Sequence, residues 1–174
     1  MKLKRKTFGI IIIGNEVLSG KTLDTNSNYL CKELYEIGME CKEVTVIQDI
    51  ERAIIEKVNL FRDQYDFVFT TGGIGPTHDD ITSLSISKAF NDKLVLNKIA
   101  KKRLETHYSD ETLTPARLKM AYIPSKSNII DNPVSIAPGF SIENVHVFPG
   151  VPKIFQAMLK EFIKKVGKQK KFFK

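Results

Sequence analysis

The sequence predicts an α/β domain built on a mostly parallel sheet, and three observations carry that prediction. The first is Gly9-Ile10-Ile11-Ile12-Ile13, an unbroken apolar run rich in β-branched residues. Such a run suits a central strand covered on both faces. The second is the order of elements that follows, strand, helix, strand, helix, strand, helix, which is the pattern of parallel crossover units. The third is Thr70-Thr71-Gly72-Gly73-Ile74-Gly75-Pro76-Thr77-His78-Asp79-Asp80-Ile81-Thr82, placed just after the third strand. Three glycines in four positions let a backbone turn sharply and approach a ligand closely.

The elements justify themselves in order. Asp24-Thr25-Asn26-Ser27 supplies helix N-cap chemistry, and Tyr29, Leu30, Leu34 and Ile37 follow at helical spacing. Gly38 ends that helix. Cys41 to Ile47 reads as the second strand. Asp49 starts a second helix with Ile54, Ile55, Val58, Leu60 and Phe61 as its apolar residues. Phe67-Val68-Phe69 is the third strand, and Asp79 or Asp80 opens a third helix that runs through Phe90. Residues 97–122 read as further helix broken at Pro115, and residues 128–148 as short strands with turns at Asn132-Pro133 and Pro138-Gly139. Val151 to Val166 is a last helix with proline at its second position. Right-handed crossovers bring the strand C-termini to one edge.

A chain of 174 residues is ordinarily one domain with room for a sizeable core. We place the domain at residues 1–166 and a basic tail at 167–174. The formal charge is +7. Residues 1–6 hold four basic groups and residues 164–174 hold six, with no acids in either stretch. Without these ten, 17 basic residues face 20 acidic ones, so the body is near −3. Basic character confined to the ends, with no basic-aromatic interleaving elsewhere, argues against nucleic-acid binding. No apolar run reaches the length of a membrane span, and no secretion signal is evident, so a cytoplasmic location is expected. Cys31 and Cys41 lack metal-ligand spacing and are expected as free thiols.

Gly14-Asn15-Glu16-Val17-Leu18-Ser19-Gly20-Lys21-Thr22 follows a strand and ends like a phosphate-binding P-loop. It has five residues between its glycines where that loop needs four, which misplaces the cradling amides. The true ligand loop is the second glycine-rich stretch. The backbone amides of Gly72, Gly73 and Gly75 would face anionic oxygens, and Thr71 and Thr77 offer hydroxyl donors. Asp79 and Asp80 are adjacent, so they cannot both point the same way, and one is expected to cap the helix. The strand ends bring Glu16, Asp49 and Asp80 toward one edge, where three acids beside an anion-binding loop suit a divalent cation such as Mg²⁺.

The glycine stretch resembles the signature of the molybdopterin-binding (MoCF-biosynthesis-like) domain family. Its Gly-Pro-Thr-His-Asp-Asp-Ile-Thr ending is most similar to the CinA-like branch. The likeness extends to Ile13–Gly20, to Asp24-Thr25-Asn26-Ser27 and to Phe148-Pro149-Gly150-Val151-Pro152, and spans Phe8 to Phe162. It implies a three-layer α/β/α fold and a site that includes Gly14, Glu16, Asp24, Thr71, Gly72, Gly73, Gly75, Pro76, Thr77, Asp79, Pro149 and Gly150. Asp80, Asp49 and His78 stand as candidate catalytic residues, and Glu16, Asp49 and Asp80 as metal ligands. Arg117 and Lys119 lie where relatives carry a basic helix. The resemblance implies a metal-dependent pyrophosphatase acting on a nucleoside-diphosphate compound such as ADP-ribose or FAD. Two alternatives stay open: molybdopterin binding or adenylation, and a non-catalytic nucleotide- or pterin-binding module. A dimer or trimer is expected. No C-terminal amidohydrolase domain of the kind many CinA-like proteins carry is expected in this chain.

Overall fold

In a computed structural model, residues 5–108 and 112–167 are described; the tail residues 168–174 lie outside them. Among the described residues, eight strands and seven α-helices are present, and the first three strands alternate with helices as expected. The main sheet holds β1 (Thr7–Ile13), β2 (Glu40–Ile47), β3 (Phe67–Thr71), β6 (Asn128–Ile130), β7 (Gly139–Ile142) and β8 (Val145–Phe148), in the order β2-β1-β3-β8-β7-β6. The β1–β2, β1–β3 and β3–β8 pairs are parallel; the last two pairs are antiparallel. β1, β2, β3 and β8 therefore end on one edge.

The alternation of β1 builds the three layers. Ile11 and Ile13 pack beneath α3 (Glu51–Gln64) and α4 (Thr82–Ala89), with Val58, Phe61, Val68, Ile86 and Val147. Phe8, Ile10 and Ile12 face α2 (Asn26–Glu36) and α7 (Pro152–Gly167), with Leu30, Leu34, Phe69, Phe148 and Leu159. A strand with both faces covered cannot tolerate polar positions, which is why this run has none. The chain passes from β1 to β2 on one side and returns to β3 on the other. That reversal opens a crevice at the β1/β3 edge, where open α/β sheets hold ligands.

Several boundaries differ from the sequence reading. α3 begins at Glu51, two residues after Asp49, because Asp49 binds another segment. α4 begins at Thr82, not at Asp79 or Asp80, because Asp80 turns back onto Thr77. Pro152 is the first residue of α7, where its missing N–H costs nothing. The expected turn at Asn132 is present, with Asn132 Oδ1 accepting from the Val134 and Ser135 amides. Gly139 instead opens β7, and the hairpin turns at Glu143-Asn144. Residues 97–122 give α5 (Lys98–His107), capped by Asn97, then α6 (Pro115–Leu118) and a short 3₁₀ turn. β4 (Leu94–Leu96) and β5 (Tyr122–Pro124) form a small sheet beside them that periodicity did not reveal. Both cysteines are free thiols, and burial together with neighbouring Cys31 pushes Cys41 up to about 12.

Two features of this core give measurable consequences. A Cβ on Gly9 would lie 2.6 Å from ring carbons of both Phe61 and Tyr65. Gly9→Val is expected to cost about 1–3 kcal/mol through overpacking, read as a lowered denaturant midpoint. His146 is fully buried among Phe67, Phe69 and Phe162, with Nδ1 2.7 Å from Ser141 Oγ. Burial pushes its imidazole from 6.5 down to about 3. Below pH 6.5 the unfolded chain therefore takes up a proton that the folded chain refuses. Stability should fall on acidification by about 1.4 kcal/mol per pH unit from this group alone. His146→Gln should flatten that decline between about pH 6.5 and 5 in chemical denaturation, above the range where carboxylates titrate.

Candidate functional site

Four strand ends meet at the parallel edge, and glycine is what lets them. Gly72 follows β3 at φ +105°, and a Cβ there would sit 2.1 Å from the Ile13 carbonyl oxygen at the end of β1. Its own amide donates to the Phe148 carbonyl at the end of β8, at 3.1 Å. Gly150 comes so close that a Cβ on it would meet Gly72 Cα at 3.3 Å. Gly73, at φ +69°, leaves room for Thr82, whose Oγ1 donates to the Gly72 carbonyl. The Thr82 amide donates to the Gly73 carbonyl, so this buried threonine locks α4 to the glycine turn.

These bonds redistribute the expected donors. The Gly72 amide is engaged by Phe148, so it is not free for an anion. The amides of Gly73, Ile74 and Gly75 donate to no acceptor among the described residues. Three successive amides without internal acceptors are the donors this turn could offer an anion. Thr71 Oγ1 donates to the Pro149 carbonyl and Thr77 Oγ1 to Asp80 Oδ2, so both hydroxyl protons already have protein acceptors.

The acids also separate. Asp80 Oδ2 accepts from the Thr77 amide and hydroxyl at 2.8 and 2.5 Å, while Oδ1 has no partner among the described residues. Asp79 is exposed; bonding to Thr77 and to its own backbone amide holds its carboxyl below the usual range, with a smaller pull from His78 and Lys119. His78 projects fully into solvent, 3.9 Å from Asp79. Asp49 Oδ2 accepts from the Asn15 amide and so ties the β1 loop to the end of β2. Glu16, in the short helix α1 (Asn15–Leu18), folds its carboxylate over Gly14. Asp24 accepts from the Asn26 and Ser27 amides and the Ser27 hydroxyl, and so occupies the N-terminus of α2 with an internal carboxylate.

The expected metal set does not assemble. Among the described residues no three carboxylate, imidazole or thiol groups converge where one ion could sit. Glu16, Asp49 and Asp80 share the sheet edge, but Asp49 holds the Asn15 amide of the β1 loop and Asp80 the Thr77 amide of its own turn. They do not form a resident cation cage.

Two residues outside the expected set do reach the site. Lys119 Nζ donates to the Thr77 carbonyl, which brings one cation to the glycine loop. Arg117, two residues earlier, stacks over Tyr108 and donates to the Thr112 carbonyl instead. Asn26 is 5% exposed, and its Nδ2 donates to Thr71 Oγ1 and to the Gly150 carbonyl, both at 2.9 Å. Asn26 stands inside a quoted motif, but its cap-like setting concealed a buried bridge between three segments. A small cleft of about 40 Å³ beside it is walled by Ile13, Glu16, Asp24, Asn26, Thr71 and Gly72.

Comparison with known proteins gives the family and the fold. Residues 9–169 match the family described as "Probable molybdopterin binding domain". A protein of Archaeoglobus fulgidus is 40% identical over 161 residues, covering 90% of this chain and 69% of its own length. The "Putative competence-damage inducible protein" of Clostridium botulinum is 37% identical, covering 86% of this chain and 38% of the relative. The "Probable FAD synthase" of Caenorhabditis briggsae is 36% identical, covering 91% of this chain and 34% of the relative. This chain thus spans little more than a third of the last two. The crystal structure of CinA from Thermoplasma acidophilum, a protein titled as of unknown function, superposes with TM-score 0.87 at 34% identity, over 93% of this chain and 98% of that one. MoaB from Pyrococcus furiosus, at 20% identity and TM-score 0.58 over 98% of each chain, shares the fold. On the match over residues 9–169, the similarity to competence-damage inducible proteins and the shared fold with CinA, the chain belongs to the molybdopterin-binding domain family, in its CinA-like form.

Proposed function

We propose that this chain binds a nucleoside-diphosphate compound of the ADP-ribose or FAD type and hydrolyses its diphosphate bond. The observation that carries the reading is the row of free amides at Gly73, Ile74 and Gly75 beside Lys119 Nζ and the uncommitted oxygen of Asp80. Amides and an ammonium group suit phosphate oxygens, and they need no reorganisation as charge develops there. In the step itself, a water oxygen bonds to phosphorus and the bridging P–O bond breaks. The leaving phosphate takes the electron pair, and the water proton passes to Asp80 Oδ1. Asp80 Oδ2 meanwhile keeps the Thr77 turn in place. The similarity to a protein named as an FAD synthase supports a flavin or adenine nucleotide as ligand.

A second reading is pterin work. The family description names molybdopterin, and the carboxylates and carbonyls around the small cleft would accept from pterin N–H groups. In that case the amide row holds the pterin phosphate. The chain is proposed to act as a dimer or trimer, read by light scattering of the purified protein.

Assays of phosphate release from ADP-ribose and FAD, with and without Mg²⁺, test the hydrolase reading. Asp80→Asn should lower the rate about 10²-fold, roughly 3 kcal/mol, while Asp79→Asn should cost far less. An inactive Asp79→Asn beside an active Asp80→Asn would exchange the two roles. No turnover of either compound by the wild type, with tight binding of a pterin phosphate, would replace hydrolysis by the second reading.

Lys119→Ala should weaken ADP-ribose binding about tenfold in calorimetry, because it removes one charge-assisted contact. Unchanged affinity would place the phosphates away from the Thr77 turn.

A further inference from the structure

Two peptide units carry the first two amides of the Gly73–Gly75 row. The Gly73 N–H shares a peptide with the Gly72 carbonyl, and the Ile74 N–H shares one with the Gly73 carbonyl. In a planar trans peptide these groups point in opposite directions, so holding the carbonyl aims the amide. One residue holds both carbonyls. Thr82 Oγ1 donates to the Gly72 carbonyl at 3.0 Å, and the Thr82 amide donates to the Gly73 carbonyl at 2.9 Å. Thr82 is fully buried, so both carbonyls turn toward the interior. The Gly73 and Ile74 amides therefore face away from Thr82, and neither has an acceptor among the described residues.

The two bonds differ in what depends on them. Ile74 is not at positive φ, and turning over the peptide before it would swing this β-branched residue into that region. Its own sterics already hold that peptide. The Gly72–Gly73 peptide has glycine on both sides, at φ +105° and +69°. Glycine accepts either sign of φ, so the backbone alone does not choose an orientation here. The bond from the Gly72 amide to Phe148 belongs to the preceding peptide and does not choose one either. The Thr82 hydroxyl makes the choice. Without it the buried Gly72 carbonyl loses its donor, which is costly, and turning toward the crevice gives that oxygen water. A phosphate would then meet a carbonyl oxygen where it needs an N–H.

We infer that Thr82 is a positioning residue for phosphate binding: its hydroxyl fixes the Gly72–Gly73 peptide so that the Gly73 N–H faces the ligand. This rests on the proposed phosphate site and assigns to one side chain of α4 the orientation of its first donor. Thr82 itself touches no phosphate and acts through Gly73.

Calorimetry with ADP-ribose and with inorganic pyrophosphate on wild type, Thr82→Val, Thr82→Ser and Ser85→Ala tests this. Ser85 is the control: it is also buried on α4, but its hydroxyl donates to the Ile81 carbonyl within the helix. Thr82→Val should weaken both probes about fivefold, the loss expected when the turned-over peptide is the more populated form. Thr82→Ser keeps the hydroxyl and should bind as the wild type does, as should Ser85→Ala. Unchanged affinity in Thr82→Val overturns the inference. So does an equal loss in Thr82→Ser, which would discount the hydroxyl, or in Ser85→Ala, which would reduce the effect to a loosened helix. NMR of the ligand-free protein reads the orientation itself. In Thr82→Val the Gly73 N–H should approach the methyls of the substituted side chain, and an amide still facing away refutes the inference. A wild type that binds neither probe removes the proposed function, and this ligand-free contact then decides alone whether Thr82 sets the peptide. Should Thr82→Val fail to fold, the wild type decides: ADP-ribose at saturation should shift the Gly73 amide resonance, and an unmoved resonance overturns the assignment.

Discussion

The architecture turns on the close approach of Gly72 to its neighbours. In the space of one residue, the end of β3 passes under the Ile13 carbonyl, donates to Phe148 and lets Gly150 rest against its Cα. A side chain here would push β1, β3 and β8 apart, and φ of +105° independently disfavours one. The crevice between β1 and β3 exists because the strand order reverses there, but its narrowness comes from this contact. Everything placed around it inherits the same register: the Thr82 pin on α4, the Asn26 bridge from α2 and the Pro149–Gly150 turn before α7. The three layers thus share one fixed point, and the site is where they meet.

That fixed point also sorts the polar groups. On the side toward Gly75 the chain presents backbone N–H groups and Lys119. On the side toward α2 lie the carboxylates of Glu16 and Asp24. Side chains that might have blurred this division are used internally: Thr71 and Thr77 donate to protein acceptors, Asp49 holds Asn15, and Asp24 caps its own helix. What remains free is one patch of donors and one patch of acceptors, a few residues apart.

Much of this was legible in the sequence, for reasons that differ by element. The four isoleucines of β1 and the apolar spacing of α2, α3 and α7 report burial directly, since each position faces a core. The glycine stretch was legible as a turn because few other sequences permit consecutive positive φ angles. The starts of α3 and α4 were not, because Asp49, Asp79 and Asp80 carry cap chemistry that tertiary contacts redirect: an aspartate that can cap a helix can as well hold the amide of a distant loop or of its own turn. β4 and β5, three residues each, are too short for periodicity to register. Asn26 was concealed for a related reason. At a helix start an asparagine reads as local, and only the fold shows that its partners are Thr71 and Gly150, 45 and 124 residues away.

The acids show how proximity along a sheet edge differs from convergence. Sequence order placed Glu16, Asp49 and Asp80 after three adjacent strands, and parallel pairing does set all three loops on one edge. A cation cage requires more, namely that oxygens from each loop aim at one point. Here Asp49 reaches sideways to the β1 loop and Asp80 reaches back within its own turn, each answering a nearer amide. A carboxylate beside an unmet backbone N–H gains a charge-assisted bond at once, without the desolvation and mutual repulsion that three clustered acids would suffer. The nearer bonds win, and among the described residues they leave Asp80 Oδ1 without a partner.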